Sequence, residues 1–348
     1  MEDKLKVLVV DDTTFMLRAI TDILQSDPDI EVVGTARNGL EGIEKIKSLQ
    51  PDVVTLDIDM PVMDGIRAIR HIMIEAPVPI VVLSSLFSDG GITFEALRLG
   101  VVDFVPKPSG AISENISDAR QQIIDRIKIA MSVNMENIRR VRLEQFDTTA
   151  DLSGRYGYNQ LDYLVAIGTT LSGPNTVIRF LSQLPPTLPT AVVVVQEISE
   201  KILPSFVKKF DECVPWKVLV AEDGLPIQPG TCYVCSNAHT LTVDRTASGD
   251  SCLRVNGKAE HPLDQLFTSA AEVFDHHTIG VLLTGVGQDG AAGFARIREM
   301  SGITVAQSTD TCVYPNLTHN VINSGLVDVV TEENKLAELV QFMLKEAV

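Results

Sequence analysis

The stretch Val53–Gly65, VVTLDIDMPVMDG, decides how the first part of the chain is read. Four apolar or β-branched residues lead into a carboxylate, Asp57, and then directly into a loop carrying Pro61 and Gly65. A short run with no polar alternation predicts a parallel strand buried on both faces, with one acidic side chain projecting at its carboxyl edge. In open parallel sheets that edge is where ligands sit. A strand that ends in Asp before a turn commonly does no more than cap the turn. The weight of the reading therefore falls on what neighbouring strands place beside it.

Working outward, Lys6–Asp12, KVLVVDD, is a second apolar strand ending in Asp11 and Asp12. Thr13 or Thr14 can cap the next helix, where Phe15, Ala19 and Ile23 beside Met16, Ile20 and Leu24 predict one broad apolar stripe. A strand at Ile30–Ala36 and a helix at Leu40–Leu49 precede the Asp57 strand. A helix near Ile66–Met73, a strand IVVLSS ending at Ser84 and Ser85, and a strand VDFVPKP reaching Lys107 come after it. Five βα units over residues 1–125 predict a doubly wound parallel sheet. Its carboxyl edge gathers Asp11, Asp12 and Asp57 into one pocket with Ser84 and Lys107 at the rim. Three carboxylates so close repel one another unless a divalent cation joins them, and Mg2+ suits an all-oxygen site that also meets an incoming phosphate. Asp57 can then accept a phosphoryl group as an aspartyl-phosphate, with metal, lysine and hydroxyl neutralising the phosphoryl oxygens.

These residues, VVDD, LDIDMPVMDG, LSS and FVPKP, resemble the receiver domain of two-component response regulators, a flavodoxin-like fold, over the whole first domain. The resemblance implies that Asp57 is the phosphoacceptor and that Asp11, Asp12 and Asp57 with the Asp59 carbonyl surround Mg2+. It also implies that Ser84 and Lys107 bind the phosphoryl oxygens, that Phe104 is a rotameric switch, and that the Lys107–Pro108 bond is cis. A sensor histidine kinase is the implied phosphodonor.

The 348 residues suit two domains, and 45% hydrophobic with 22% charged residues is a globular composition. A net charge of −17 opposes non-specific attraction to nucleic acid or anionic lipid, so proteins are the expected partners. The N-terminal MEDKLK runs into a strand without a secretory apolar region, and no apolar run reaches membrane-spanning length, which predicts a cytoplasmic protein with no membrane insertion. Five cysteines fit reduced thiols, and Cys232 and Cys235 in TCYVCS are expected to point to opposite faces of a strand as packing residues.

Residues 126–160 form a weaker segment. A helix over Asp118–Met131 is followed by a basic knot, Arg139, Arg140 and Arg142, and by a linker at Gly154–Asn159. Residues 161–348 read as a second α/β domain with a mostly parallel sheet. Strands are expected at Tyr163–Gly168, Ala191–Val195, Lys217–Ala221, Thr278–Thr284 and Ile303–Ala306, with Cys232–Val243 and Cys252–Val255 as an antiparallel insertion. Two loops there could carry chemistry. GTTLSGP, Gly168–Pro174, is a strand-to-helix turn that could hold a hydroxyl nucleophile or an anion, or simply cap the helix. LLTGVGQDGAAG satisfies G-x-G-x-x-G with Gly285, Gly287 and Gly290, which by motif alone is a dinucleotide site; Asp289 inside that loop would face the pyrophosphate.

YLVAIGTTLSGP, VVVVQE, LPSFVKKF, PLDQLF, LLTGVGQDGAAG and ITVAQ together resemble the C-terminal domain of the CheB-type chemotaxis methylesterases, over roughly Leu161–Val330. The resemblance implies hydrolysis of glutamate methyl esters on chemoreceptors and deamidation of certain receptor glutamines, by a Ser-His-Asp triad and with no cofactor in this domain. Two of the three positions differ. The family's Gly-x-Ser-Thr-Gly-Gly is Gly168, Thr169, Thr170, Leu171, Ser172, Gly173 here, so Thr170 stands for the nucleophile, and the histidine of Val-Gln-His is Glu197. Only Asp289 matches. A glutamate titrates about two units below an imidazole and makes a poorer general base near neutrality. The expectation is a phosphorylation-controlled response regulator whose effector domain is a pseudoenzyme, acting as a binding module. The alternative is an active methylesterase and deamidase using Ser172 or Thr170 with His239.

Overall fold

The structure is a computed structural model that describes residues 4–84, 90–108, 116–138, 161–258 and 260–346. The chain divides into two compact units, Met1–Arg140 and Val141–Val348.

The first unit alternates β1 (Leu5–Val10), α1 (Thr14–Gln25), β2 (Ile30–Ala36), α2 (Gly39–Leu49), β3 (Val53–Leu56), α3 (Gly65–Glu75), β4 (Ile80–Ser84), α4 (Gly90–Leu99), β5 (Asp103–Pro106) and α5 (Ile116–Ala130). The strands form one parallel sheet in the order β2-β1-β3-β4-β5. All four residues of β3 are buried, as a strand covered on both faces should be. Side chains cap the helix starts: Thr13 accepts from the Met16 N–H, Asn38 from Glu41 and Asp64 from Arg67. A buried cluster including Leu8, Val54, Leu56, Ile69, Ile72 and Val82 holds one face of the sheet to its helices.

Three expectations change here. Phe15 is 68% exposed, because the buried face of α1 is set by Leu17, Ile20, Ile23 and Leu24 and turns Phe15 to solvent. The domain boundary at 125 falls inside α5, which packs on β5 and α1, so the first unit extends to Arg140. The Lys107–Pro108 bond is trans, the lower-energy isomer, as is every other peptide bond among the described residues. The basic knot and the Gly154–Asn159 linker lie outside the described residues.

The second unit comprises β6 (Tyr163–Gly168), α6 (Gly173–Gln183), β7 (Thr190–Gln196), α7 (Leu203–Asp211), β8 (Lys217–Val220), β9 (Thr231–Ser236), β10 (His239–Arg245) and β11 (Ser251–Lys258). It continues with α8 (Pro262–Phe274), β12 (Thr278–Leu282), α9 (Ala291–Glu299), β13 (Ile303–Gln307), α10 (Asn316–Asn323), β14 (Val329–Thr331) and α11 (Leu336–Glu346). Seven of these strands form a parallel sheet ordered β14-β13-β12-β6-β7-β9-β8. The antiparallel insertion is smaller than expected. Among the described strands only β10 and β11 pair that way, while β9 lies between β7 and β8 in the main sheet with every residue buried. Cys232 and Cys235 on β9 are buried thiols, and burial pushes the Cys235 thiol up to about 11, so both pack rather than react. No helix among the described residues is long and apolar enough to cross a membrane.

Candidate functional site

Both sheets reverse their winding at one place, and the chemistry collects there. In the first unit the reversal lies between β1 and β3, so the residues that follow these strands meet. Asp11, Asp12 and Asp57 each present an oxygen within 4.8 Å of the others. Asp11 and Asp57 are buried. The Lys107 ammonium, arriving from the end of β5, sits 2.6 Å from Asp11 and 2.8 Å from Asp57. Asp11 also accepts from the Thr13 N–H and hydroxyl, and Asp57 from the Ile58 N–H. Burial raises the Asp57 carboxyl above the ordinary range, with Asp11 adding to the rise, and Lys107 opposes both. Burial would lower the Lys107 ammonium, but its bonds to Asp11 and Asp57 raise it on balance, so it stays charged. Gly65 is required at its position, because a Cβ there would come within 2.4 Å of the Asp57 carbonyl oxygen.

Ser84 is the buried last residue of β4, beside Pro106 of β5, and its carbonyl accepts from the Lys107 N–H. Phe104 lies half-buried on β5 opposite Val82. Asp59 is two residues past Asp57 in the β3–α3 loop, with its side chain exposed. A set of three clustered carboxylates fits a hard divalent cation of the Mg2+ type.

In the second unit the reversal lies between β6 and β12. Thr170, past the end of β6, donates its hydroxyl hydrogen to the Val286 carbonyl at 3.0 Å and accepts from the Val286 N–H at 2.7 Å. Gly285 permits this approach, since a Cβ there would lie 2.3 Å from the Thr170 hydroxyl oxygen. Ser172 is 9% exposed and holds a left-handed backbone, φ 59°, at the start of α6. Glu197 follows directly on β7 and is half-buried.

Asp289 accepts from the Leu263 and Asp264 N–H groups at the start of α8, at 2.8 and 3.0 Å. Asp264 in turn accepts from the Gly290 and Gly293 N–H groups at the start of α9, at 3.1 and 2.7 Å. Two helix starts are thus capped crosswise. Burial raises the Asp289 carboxyl, against its two amide bonds, and the acid that adds to the rise is Asp264 rather than Glu197.

The rescue histidine is elsewhere engaged: His239, at the start of β10, lies 3.2 Å from a Glu200 oxygen. The geometry counts against the dinucleotide reading. Two of the amides at the start of α9 that would receive a pyrophosphate, Gly290 and Gly293, already donate to Asp264. The sequence reading missed Asp264 and His261, although H-x-x-D at a helix start, with Pro262 at its first turn, is a readable spacing.

Comparison with known proteins agrees with the two-part organisation. Residues 165–340 match the CheB methylesterase family, and residues 7–116 match the response regulator receiver domain. A protein-glutamate methylesterase/protein-glutamine glutaminase of Caldanaerobacter subterraneus subsp. tengcongensis is 36% identical, over 97% of this chain and 96% of its own length. A protein of the same description from Pyrococcus horikoshii is also 36% identical, over 98% of this chain and 94% of its own. One from Methanococcoides burtonii is 33% identical over 98% of each. With a receiver domain preceding a methylesterase domain, and such relatives aligned along almost its whole length, the chain belongs to the CheB methylesterase family.

Proposed function

We propose that this protein is a chemotaxis response regulator that takes a phosphoryl group on Asp57 from a sensor histidine kinase. Its effector domain recognises a chemoreceptor or another protein target and has little or no esterase activity. An Asp57 oxygen attacks the phosphorus while the donor's leaving atom departs with its electron pair, which converts a buried carboxylate into an acyl phosphate. Lys107, within hydrogen-bond reach of Asp57, is placed to receive a phosphoryl oxygen. Ser84, at the end of the neighbouring strand, would supply a hydroxyl to another. Asp11, Asp12 and Asp57 would hold Mg2+, which offsets the charge on the phosphoryl oxygens.

The observation that carries the reduced esterase activity is the closed pairing of Thr170 with Val286. The hydroxyl hydrogen goes to a carbonyl and not to a base, and glutamate occupies the place of the family's histidine. Ester cleavage needs a base that removes that hydrogen as the oxygen attacks. The active-enzyme alternative, with Ser172 or Thr170 served by His239, finds that imidazole paired with Glu200. The proposed phosphorylation is tested by incubating the full chain with Mg2+ and acetyl phosphate and weighing it by mass spectrometry. One added phosphoryl group is expected in the wild type and none in Asp57→Asn. An unchanged wild-type mass would overturn the assignment of Asp57.

A further inference from the structure

His261, Asp264 and Asp289 stand together at the mouth of the second switch point. One imidazole nitrogen and one oxygen from each carboxylate all lie within 4.8 Å of one another. His261 and Asp264 are three residues apart at the start of α8 and so share a face, while Asp289 arrives from the loop between β12 and α9. We propose that these three side chains bind a divalent transition-metal cation of the zinc type.

Three features of the cluster support this. The first is orientation. Asp289 is fixed by the Leu263 and Asp264 amides and Asp264 by the Gly290 and Gly293 amides, the outer hydrogen bonding that aims ligating carboxylates at a metal. The second is charge. The four donors to this pair of acids are neutral backbone groups, whereas in the receiver pocket a lysine ammonium lies between two of the carboxylates. A cation would supply here what Lys107 supplies there. The third is ligand chemistry. An imidazole nitrogen with two carboxylate oxygens suits Zn2+, while Mg2+ prefers oxygen alone. The site in the second unit would therefore select a different ion from the all-oxygen pocket of the first. His261 is exposed, which leaves the remaining coordination positions to water. Its side chain makes no capping bond to α8, so removing it breaks no bond that holds the helix start.

The inference goes beyond the proposed function and holds whether or not ester hydrolysis survives, because its readout is binding of Zn2+ alone. Calorimetric titration of Zn2+ into the full chain, with Mg2+ in excess to hold the receiver pocket, tests it. We expect one stoichiometric binding event that His261→Ala weakens by about tenfold or more. Asp264→Asn, folded as judged by circular dichroism, is expected to weaken it as well. Absence of a binding event in the wild type, or superimposable isotherms for wild type and His261→Ala, would overturn the site.

Discussion

At the first switch point three carboxylates meet one ammonium group, and at the second Asp264 and Asp289 meet four backbone amides while the Thr170 hydroxyl pairs with Val286. The topology is the same in kind: a parallel sheet that reverses its winding and opens a crevice beyond its strand ends. The side chains delivered into the crevice differ. In the receiver Lys107 bridges Asp11 and Asp57, and the proposed phosphorylation would exchange one of these partners for a phosphoryl oxygen. In the effector domain the Thr170 hydroxyl is paired with Val286, and Asp289 holds the start of α8. On the proposed reading, ester hydrolysis through Thr170 would have to break its pairing with Val286.

The largest expected effect comes from giving the second crevice the serine and histidine that the family resemblance implies. The double substitution Thr170→Ser with Glu197→His is expected to raise methanol release from methylated receptor roughly a thousandfold, the scale lost when a triad member is removed. Release no higher than in the unaltered chain would mean that the crevice has changed in more than two side chains.

The next effect is on the receiver. Lys107→Met leaves Asp11 and Asp57 facing each other without their cation, and a loss of about 2 kcal/mol in unfolding free energy is expected without Mg2+. Added Mg2+ should recover part of it, since the ion would replace the missing charge. Chemical denaturation with and without Mg2+ measures both, and a variant as stable as the wild type would show that the acids do not need the lysine.

A smaller effect is expected from Asp289→Ala, which removes the acceptor for two amides of α8 and should cost about 1 kcal/mol near pH 5. The pH dependence has a definite sign. The folded carboxyl titrates above its ordinary value, so between about pH 4 and the raised value the folded state holds more proton than the unfolded. Stability from this group therefore falls as pH rises through that window, and the advantage of wild type over variant should shrink with it. An advantage that grew with pH would contradict the burial account.

The smallest effect sharpens a parallel between the two loops. Each carries a residue other than glycine in the left-handed region: Val62 in the β3–α3 loop at φ 67° and Ser172 before α6 at φ 59°. Val62→Gly and Ser172→Gly should each raise stability by about 0.5–1 kcal/mol through relief of strain, read as melting temperature. Destabilisation by Ser172→Gly would mean that the serine side chain holds the turn.

Much of this was readable in the chain itself, and for physical reasons. Strands such as Val53–Leu56, buried on both faces, leave no polar alternation, and their terminal carboxylates mark the edge where they converge. Cap residues Thr13, Asn38 and Asp64 fix helix starts locally. What escaped depends on pairing at long range. TCYVCS read as part of a hairpin because nothing local says that β9 lies between β7 and β8. The apolar stripe of α1 was drawn too wide because Phe15 is apolar yet lies beyond the edge of the buried face. Thr170 with Val286 and Asp289 with Asp264 join loops more than twenty residues apart, so no spacing rule announces them. The short α10, Asn316–Asn323, went unnoticed for lack of a strong start signal: its preceding residue, Pro315, offers no side-chain cap.

The central claim is that one crevice can still do its family's chemistry while the other has given it up. Its most direct test is methanol release from methylated chemoreceptor by the full chain after phosphorylation at Asp57, with the stoichiometry of phosphorylation measured in the same sample. The account predicts a phosphorylated protein whose methanol release matches that of Thr170→Ala. Release well above that of Thr170→Ala, rising with the phosphorylated fraction, would contradict it.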